Sequence, residues 1–303
     1  MTSLLRSSTK SALFSLGHYR RHIRRQTLPG VAVLSYHGVG EPGGDEESIA
    51  LPWLHLPARR FEAHCRFLRA TCNPISLSQW REAANGGQPL PARPVLLTFD
   101  DGYRSVLTVA HGILEKYDIP AVAFVATDAV ERNQLLWFDA VDRTHGEKTV
   151  DAMKRLPFDE WLVRARASAT RAECGDPNAP LSVDEVKLLA DTGLIEIGAH
   201  TMSHPMLSRA DQPVQIAEIR GSKEKLESWI GKPVQAFAYP NGDFTDETVK
   251  LVSQAGYSCA FTTIEGFCPR NAMSFAIPRF FVLSGVGVAE LAHRLTYSWR
   301  NGR

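Results

Sequence analysis

From Val31 onward, short apolar runs alternate with stretches of helical spacing. The runs are VAVLSY (31–36), VLLTF (95–99), AVAFVAT (121–127), LIEIGA (194–199), VQAFAY (234–239), CAFTT (259–263) and PRFFVL (278–283). Each is dominated by apolar or β-branched residues and bounded by turn formers or charges, the pattern of a strand covered on both faces. Between them, RRFEAHCRFLRA (59–70), YRSVLTVAHGILEKY (103–117) and DETVKLVSQAG (246–256) carry helical periodicity. Ser182-Val183-Asp184-Glu185 is a capping box that opens a further helix, and Gly193 closes it. Seven strands alternating with helices predict an α/β protein with a parallel sheet and helical crossovers. An open doubly wound sheet and a closed barrel both fit. Residues 131–185 are more than a crossover needs. They read as mostly helical and polar, an insertion on one face of a single domain spanning 31–303.

Composition narrows the class without naming it. The 303 residues are 44% hydrophobic and 22% charged, with a formal net charge of +1. Such a balance carries no nucleic-acid footprint, so no nucleic-acid partner is expected. The charge is uneven, however. Residues 1–30 hold Arg6, Lys10, Arg20, Arg21, Arg24 and Arg25 and no acid, so they are expected to form a basic arm or an amphipathic helix. The apolar patch SALFSLG is short, has no small-x-small site after it and runs into HYRRHIRR, so it is not expected to be a cleaved signal. Two fates stay open for this arm: peripheral contact with anionic lipid, or packing on the domain. The five cysteines are scattered, with no CxxC, and read as idle thiols of a reducing compartment. No run approaches the length of a membrane-spanning helix. The expected location is therefore cytoplasmic, with membrane association through the arm as one of those two fates.

The candidate chemistry lies where parallel α/β folds put it, at the carboxyl ends of strands. Asp100 and Asp101 follow VLLTF, His200 follows LIEIGA and opens HTMSHP, His37 follows VAVLSY, and Asn241 follows VQAFAY. His200 and His204 are four residues apart, which on one helical turn would aim both imidazoles at one cation. His18 and His22 share that spacing but lie in the basic arm, away from any strand end or carboxylate, and are not expected to form a site. Two imidazoles and a carboxylate make a metal-binding face with open positions. Two bare adjacent carboxylates would repel and drive one pKa up; a divalent cation on one of them removes that conflict and leaves the other ionised as a base.

TFDDG (98–102) together with HTMSHP (200–205) resembles the first two signature motifs of the polysaccharide deacetylase (NodB-homology) family, over about residues 31 to 283. The resemblance implies a distorted (β/α)7 barrel. It also implies Asp100 as general base and Asp101, His200 and His204 as ligands of a divalent ion, zinc or alternatively cobalt, nickel or iron. LSYHGV (34–39) resembles the variant with permuted motifs, in which His37 would be the general acid. The third motif departs from the commoner FRPPYG: the chain reads FAYPNG (237–242), with Ala238 where the base-orienting arginine stands and Asn241 before the glycine. The N–H of residue 241 can still serve an oxyanion. Arg279, in IPRFF, is the candidate replacement for the missing arginine. No fourth motif of the Asp-Trp type is found.

The activity so implied is metal-dependent removal of N-acetyl groups, at carbon–nitrogen bonds other than peptide bonds, from an amino-sugar polysaccharide or glycoconjugate. Trp137, in LLWFD, is a candidate sugar-stacking face and equally a core residue; Trp53 is a weaker one. Other readings are an O-acetyl esterase on the same site, hydrolysis of a non-sugar amide or cyclic imide, and a metal-free glycan-binding domain.

Overall fold

The seven apolar runs become the staves of a curled parallel sheet in the computed structural model, which describes residues 2–25, 28–40, 49–271 and 273–297. β1 (Val31–Tyr36), β2 (Pro94–Phe99), β3 (Ala121–Val125), β4 (Ile195–Ala199), β5 (Ala236–Ala238) and β6 (Cys259–Phe261) lie side by side in chain order, each parallel to the next. β7 (Phe280–Phe281) runs parallel to β1, with Phe280 opposite Leu34 and Phe281 opposite Ser35. Just before it, Ile277 bridges Phe261 of β6, also in parallel. Segment 277–281 therefore joins the last strand to the first, and the sheet closes as a distorted (β/α)7 barrel. Two-residue strands at Asn73–Pro74 and Phe267–Cys268 extend it beside β2 and β1.

The helices are α1 (Thr2–Ser15), α2 (His18–Arg25), α3 (Ala58–Thr71), α4 (Leu77–Ala84), α5 (His111–Tyr117), α6 (Thr127–Arg132), α7 (Trp137–His145), α8 (Glu147–Met153), α9 (Phe158–Ala167), α10 (Val183–Asp191), α11 (Gln212–Ile230), α12 (Asp246–Gln254) and α13 (Val288–Tyr297). The expected helix 103–117 is interrupted, because a π-helical turn over Val106–Ala110 precedes α5.

Strand residues alternate between two apolar environments, which is why no polar face marked them in sequence. Val33, Leu96, Phe124, Ala238 and Phe261 fill the barrel, while Leu34, Leu97, Ala123, Ile197 and Phe237 meet the helices. At Gly198 the wall leaves no room for a side chain, since a Cβ there would stand 2.4 Å from the Phe124 ring. α4, opened by the capping box of Ser76 and Gln79, lays Trp80 into the barrel's amino end. It is tied to the start of β4 and β5 by Ser78 N–H to Glu196 (2.9 Å) and Arg81 to Gln235 (2.9 Å). That end is plugged; the carboxyl end is open for a site.

Residues 131–185 are less polar in effect than their composition suggests. Trp137, Phe138, Val141, Val150, Met153 and Trp161 of α7–α9 form an apolar cluster with Leu51, Leu54 and Tyr103. Residues 1–30 include a docked helix pair: Tyr19 and Ile23 of α2 are buried, and Lys10 pairs with Glu290 of α13. Met1 and residues 26–27, 41–48, 272 and 298–303, which belong to the two expected domain spans, lie outside the described residues. Cys65, Cys72, Cys259 and Cys268 are buried, and Cys174 is exposed. No helix among the described residues is long and apolar enough to cross a membrane.

Candidate active site

β2 ends in the two carboxylates, and the backbone sends them to different tasks. Successive strand residues point to opposite sides. Asp100 continues the strand, its N–H on Tyr36 O (2.9 Å), and its side chain enters the barrel mouth. Asp101 and Gly102 then both take left-handed backbone, φ +76° and +79°, which swings the Asp101 carboxylate back over the same opening.

Arg279, just ahead of β7, reaches Asp100 from across the barrel. Its Nη1 and Nη2 donate to Asp100 Oδ1 and Oδ2, each at 2.7 Å. The guanidinium also donates to Thr262 O and Thr98 Oγ1, lies over the rings of Phe124 and Phe261, and is 1% exposed. Burial alone would push the Asp100 carboxyl up; the charges of Arg279 and His200 outweigh it and hold it below the usual carboxylate range.

His200 and His204 do not share a helical turn, contrary to the expectation from their spacing. Residues 200–206 are an irregular loop in which Thr201 and His204 have φ of +64° and +58°. Hydrogen bonds hold that shape. Glu218 of α11 accepts from Met202 N–H (2.8 Å), Ser203 N–H (2.9 Å) and Ser203 Oγ (2.6 Å), and His204 N–H donates to Thr201 Oγ1 (3.0 Å). The Trp137 indole N–H donates to His204 O at 2.8 Å. Trp137 is thus buried packing that fixes the loop, not a sugar-stacking face; Trp53 lines the cavity instead.

The donors converge. Asp101 Oδ1 lies 3.4 Å from His200 Nε2 and 3.3 Å from His204 Nε2. All three residues are buried, and theirs is the one such cluster among the described residues. A carbonyl only accepts, so the 2.7 Å bond between His200 Nδ1 and Ala238 O puts the proton on Nδ1 and the Nε2 lone pair toward the carboxylate. Lone pair against carboxylate repels unless a cation lies between. A tetrahedral ion with ~2.0–2.1 Å bonds spaces its donors ~3.3–3.4 Å apart, which is how far Asp101 Oδ1 lies from each imidazole, so these residues fit a divalent metal. With no ion bound, protons on the two Nε2 atoms would stand in its place, and their hydrogen bonds hold the Asp101 pKa well below the usual range against the effect of burial. His18 and His22 stack on each other in α2, and His18 bonds to Tyr297.

His37 Nε2 lies 4.0 Å from Asp101 Oδ2, with its ring edge on Phe281, and its Nδ1 has no partner. Burial lowers its basicity, and Asp101 and Asp100 offset this only in part. Asn241 lines the same cavity from a Pro240–Gly242 turn with φ of +54°. Left-handed backbone at non-glycine residues stores strain of roughly 1–3 kcal/mol each and persists where packing imposes it. Asp101, Thr201, His204 and Asn241 gather four such residues around one opening.

The cavity holds about 320 Å³ above these groups. Leu51, Trp53, Leu54, Phe138 and Phe281 make its walls apolar, and Lys154 of the inserted helices adds a cation. Sequence reasoning missed Lys154, Phe138 and Glu218. No local pattern marks them, since each arrives from a distant segment.

The sequence model of one family, described as polysaccharide deacetylase, matches residues 87–260, more than half of the chain. The poly-β-1,6-N-acetyl-D-glucosamine N-deacetylase of Escherichia coli (strain K12) is 24% identical over 295 residues, covering 88% of this chain and 38% of that protein. The chain thus spans about two fifths of this relative's length. Among solved structures, the Streptococcus pyogenes deacetylase PplD in complex with acetate matches with a TM-score of 0.64 at 21% identity, over 89% of this chain and 99% of that one. A polysaccharide deacetylase from Bacillus cereus gives 0.62 at 23% identity, over 88% and 69%. Identities this low carry the fold alone. The sequence model reaches further, because its span includes the TFDDG turn and the His200 loop, and on that match the chain belongs to the polysaccharide deacetylase family.

Proposed function

We propose that this protein hydrolyses N-acetyl groups of an amino-sugar glycan, with a divalent cation, zinc by preference, held by Asp101, His200 and His204. One observation carries the reading: three buried donors converge, with Asp101 Oδ1 at tetrahedral spacing from each imidazole, beside a second carboxylate that Arg279 keeps ionised. The family and the name of the Escherichia coli relative support the substrate class, and the acetate complex of the Streptococcus pyogenes structure supports the acyl group. When bound, the cation supplies Lewis-acid polarisation of the amide carbonyl and makes water more acidic.

The remaining work falls to the chain's own residues. Asp100, with one lone pair of each oxygen turned to Arg279, keeps others free to take the proton of the attacking water. The Asn241 N–H donates to the oxygen as it becomes anionic. His37, whose Nε2 lies 4.0 Å from Asp101 Oδ2, delivers a proton to the amide nitrogen as the C–N bond breaks, so acetate and a free amine leave. Trp53, Leu54 and Phe281 exclude bulk water and accept the acetyl methyl.

The test compares wild type with Asp101→Asn by elemental analysis and by acetate release from N-acetylglucosamine oligomers. Loss of ion and activity together is expected. Acetate release that persists without a bound ion would remove the proposal. O-acetylated oligomers assayed alongside separate amidase from esterase.

A further inference from the structure

We propose that α2 docks the protein on an anionic lipid surface, a role independent of the hydrolase reading. Its sequence, HYRRHIRR, divides cleanly by environment. Tyr19 and Ile23 are buried toward α13 and α3, while Arg20, Arg21, Arg24 and Arg25 are exposed. At 3.6 residues per turn, those four positions fall within ~140° of arc. None of them is ion-paired among the described residues; the nearby Glu290 is taken by Lys10 and Arg294. Like charges at i and i+4, here Arg20 with Arg24 and Arg21 with Arg25, oppose helix formation in water, and an anionic surface reverses that effect.

The face also has an apolar tip. Leu16, in the turn ahead of α2, is 76% exposed, the highest value among the large hydrophobic residues described. Arginines around an exposed leucine are the chemistry of an interfacial helix. A nucleic-acid groove would instead call for a wider basic field, which a net charge of +1 does not provide.

The placement is compatible with turnover. Arg24 donates to Ala70 O at the end of α3, and Arg93, at the start of β2, donates to Arg24 O. The C-terminal end of α2 therefore sits at the amino ends of the strands, opposite the cavity. A docked molecule keeps its site open to glycan.

The experiment sediments the full chain with vesicles of phosphatidylcholine, with and without phosphatidylglycerol, at low and high salt. The variant Arg20→Gln/Arg21→Gln/Arg25→Gln spares Arg24 and its bond to Ala70. Binding only to the anionic vesicles, lost at high salt, is expected. Each arginine removed should weaken partitioning about five-fold, the equivalent of ~1 kcal/mol per surface cation, so the triple variant falls about a hundredfold. Its thermal melt and its acetate release from soluble oligomers should match wild type. Leu16→Ser should weaken binding further at intermediate salt. Equal partitioning of wild type and triple variant, equal binding to both vesicle types, or salt-sensitive retention on duplex DNA without vesicle binding would overturn the proposal.

Discussion

Asp100 is 3% exposed, and each of its oxygens takes one N–H of Arg279, so the pair is desolvated as a unit. Removing one member of such a pair strands the other charge. Arg279→Ala is expected to cost about 3–5 kcal/mol in urea unfolding, because Asp100 is left buried without a countercharge. Arg279→Lys separates stability from catalysis. Lysine keeps the cation but not the two-pronged grip, so the carboxylate loses its fixed orientation. The Lys variant should fold, yet its kcat/KM should fall about 10–100-fold, as misplacement of a catalytic group does. Losing Arg279 raises the Asp100 pKa, and a base must be ionised to act; the acid limb of the pH–rate profile should therefore move to higher pH. An Arg279→Ala protein with wild-type melting and rate would show that the arginine orients nothing. The sequence pointed to Arg279 only because Ala238 occupies the usual arginine position. The contact itself joins residues 179 positions apart.

At the level of elements, the loop from His200 to Met206 departs furthest from its sequence reading. A spacing of four suggested a helical turn, and the same spacing at His18 and His22 does lie on a helix, where the rings stack 6.0 Å apart and belong to no metal-binding group of three among the described residues. Spacing alone thus could not separate site from scaffold; position after a strand did. The strands themselves were legible because burial on both faces leaves an apolar run with polar residues waiting at its end. Closure through 277–281, the apolar side of α7–α9 and the turn at Asp101 were not, since each depends on partners far away in sequence or on a left-handed φ that no residue type announces. The loop's shape rests on Glu218, whose carboxylate receives two backbone N–H groups and the Ser203 hydroxyl. Glu218→Ala frees those donors without touching a ligand. Metal affinity, read by competition with a chelator, should weaken about 10–100-fold, the range found when groups that orient ligands are removed. Unchanged affinity would mean that packing by Trp137 suffices.

Across the whole molecule, two buried neutral histidines tie stability to pH at the seams between layers. His64 of α3 meets the Tyr36 hydroxyl at 3.3 Å, behind the barrel wall. His55 receives the Asn178 amide at 3.0 Å, where Tyr103 and Asn178 also donate to Asp139 of the inserted helices. Burial pushes both imidazoles down to about 4; His37 nearby adds to the effect on His55, and Arg60 to that on His64. In the unfolded chain both return to ~6.5. Above that value each is neutral in both states and the stability is complete. As pH falls from ~6.5 toward ~4, the unfolded chain binds protons that the folded one refuses, and stability declines by ~1.4 kcal/mol per pH unit for each histidine, on the order of 3 kcal/mol each at the lower end. Urea unfolding between about pH 7 and about pH 5 reads this slope directly. The measurement belongs on chelator-treated protein, because ligand protonation at Asp101, His200 and His204 would add its own pH dependence. His64→Gln removes its own share and should lessen the slope by up to ~1.4 kcal/mol per pH unit, while His55 and other histidines that burial lowers, His37 and His204 among them, keep theirs. A slope that His64→Gln leaves unchanged would mean that water or local opening reaches His64, and that the α3 seam is looser than its burial indicates.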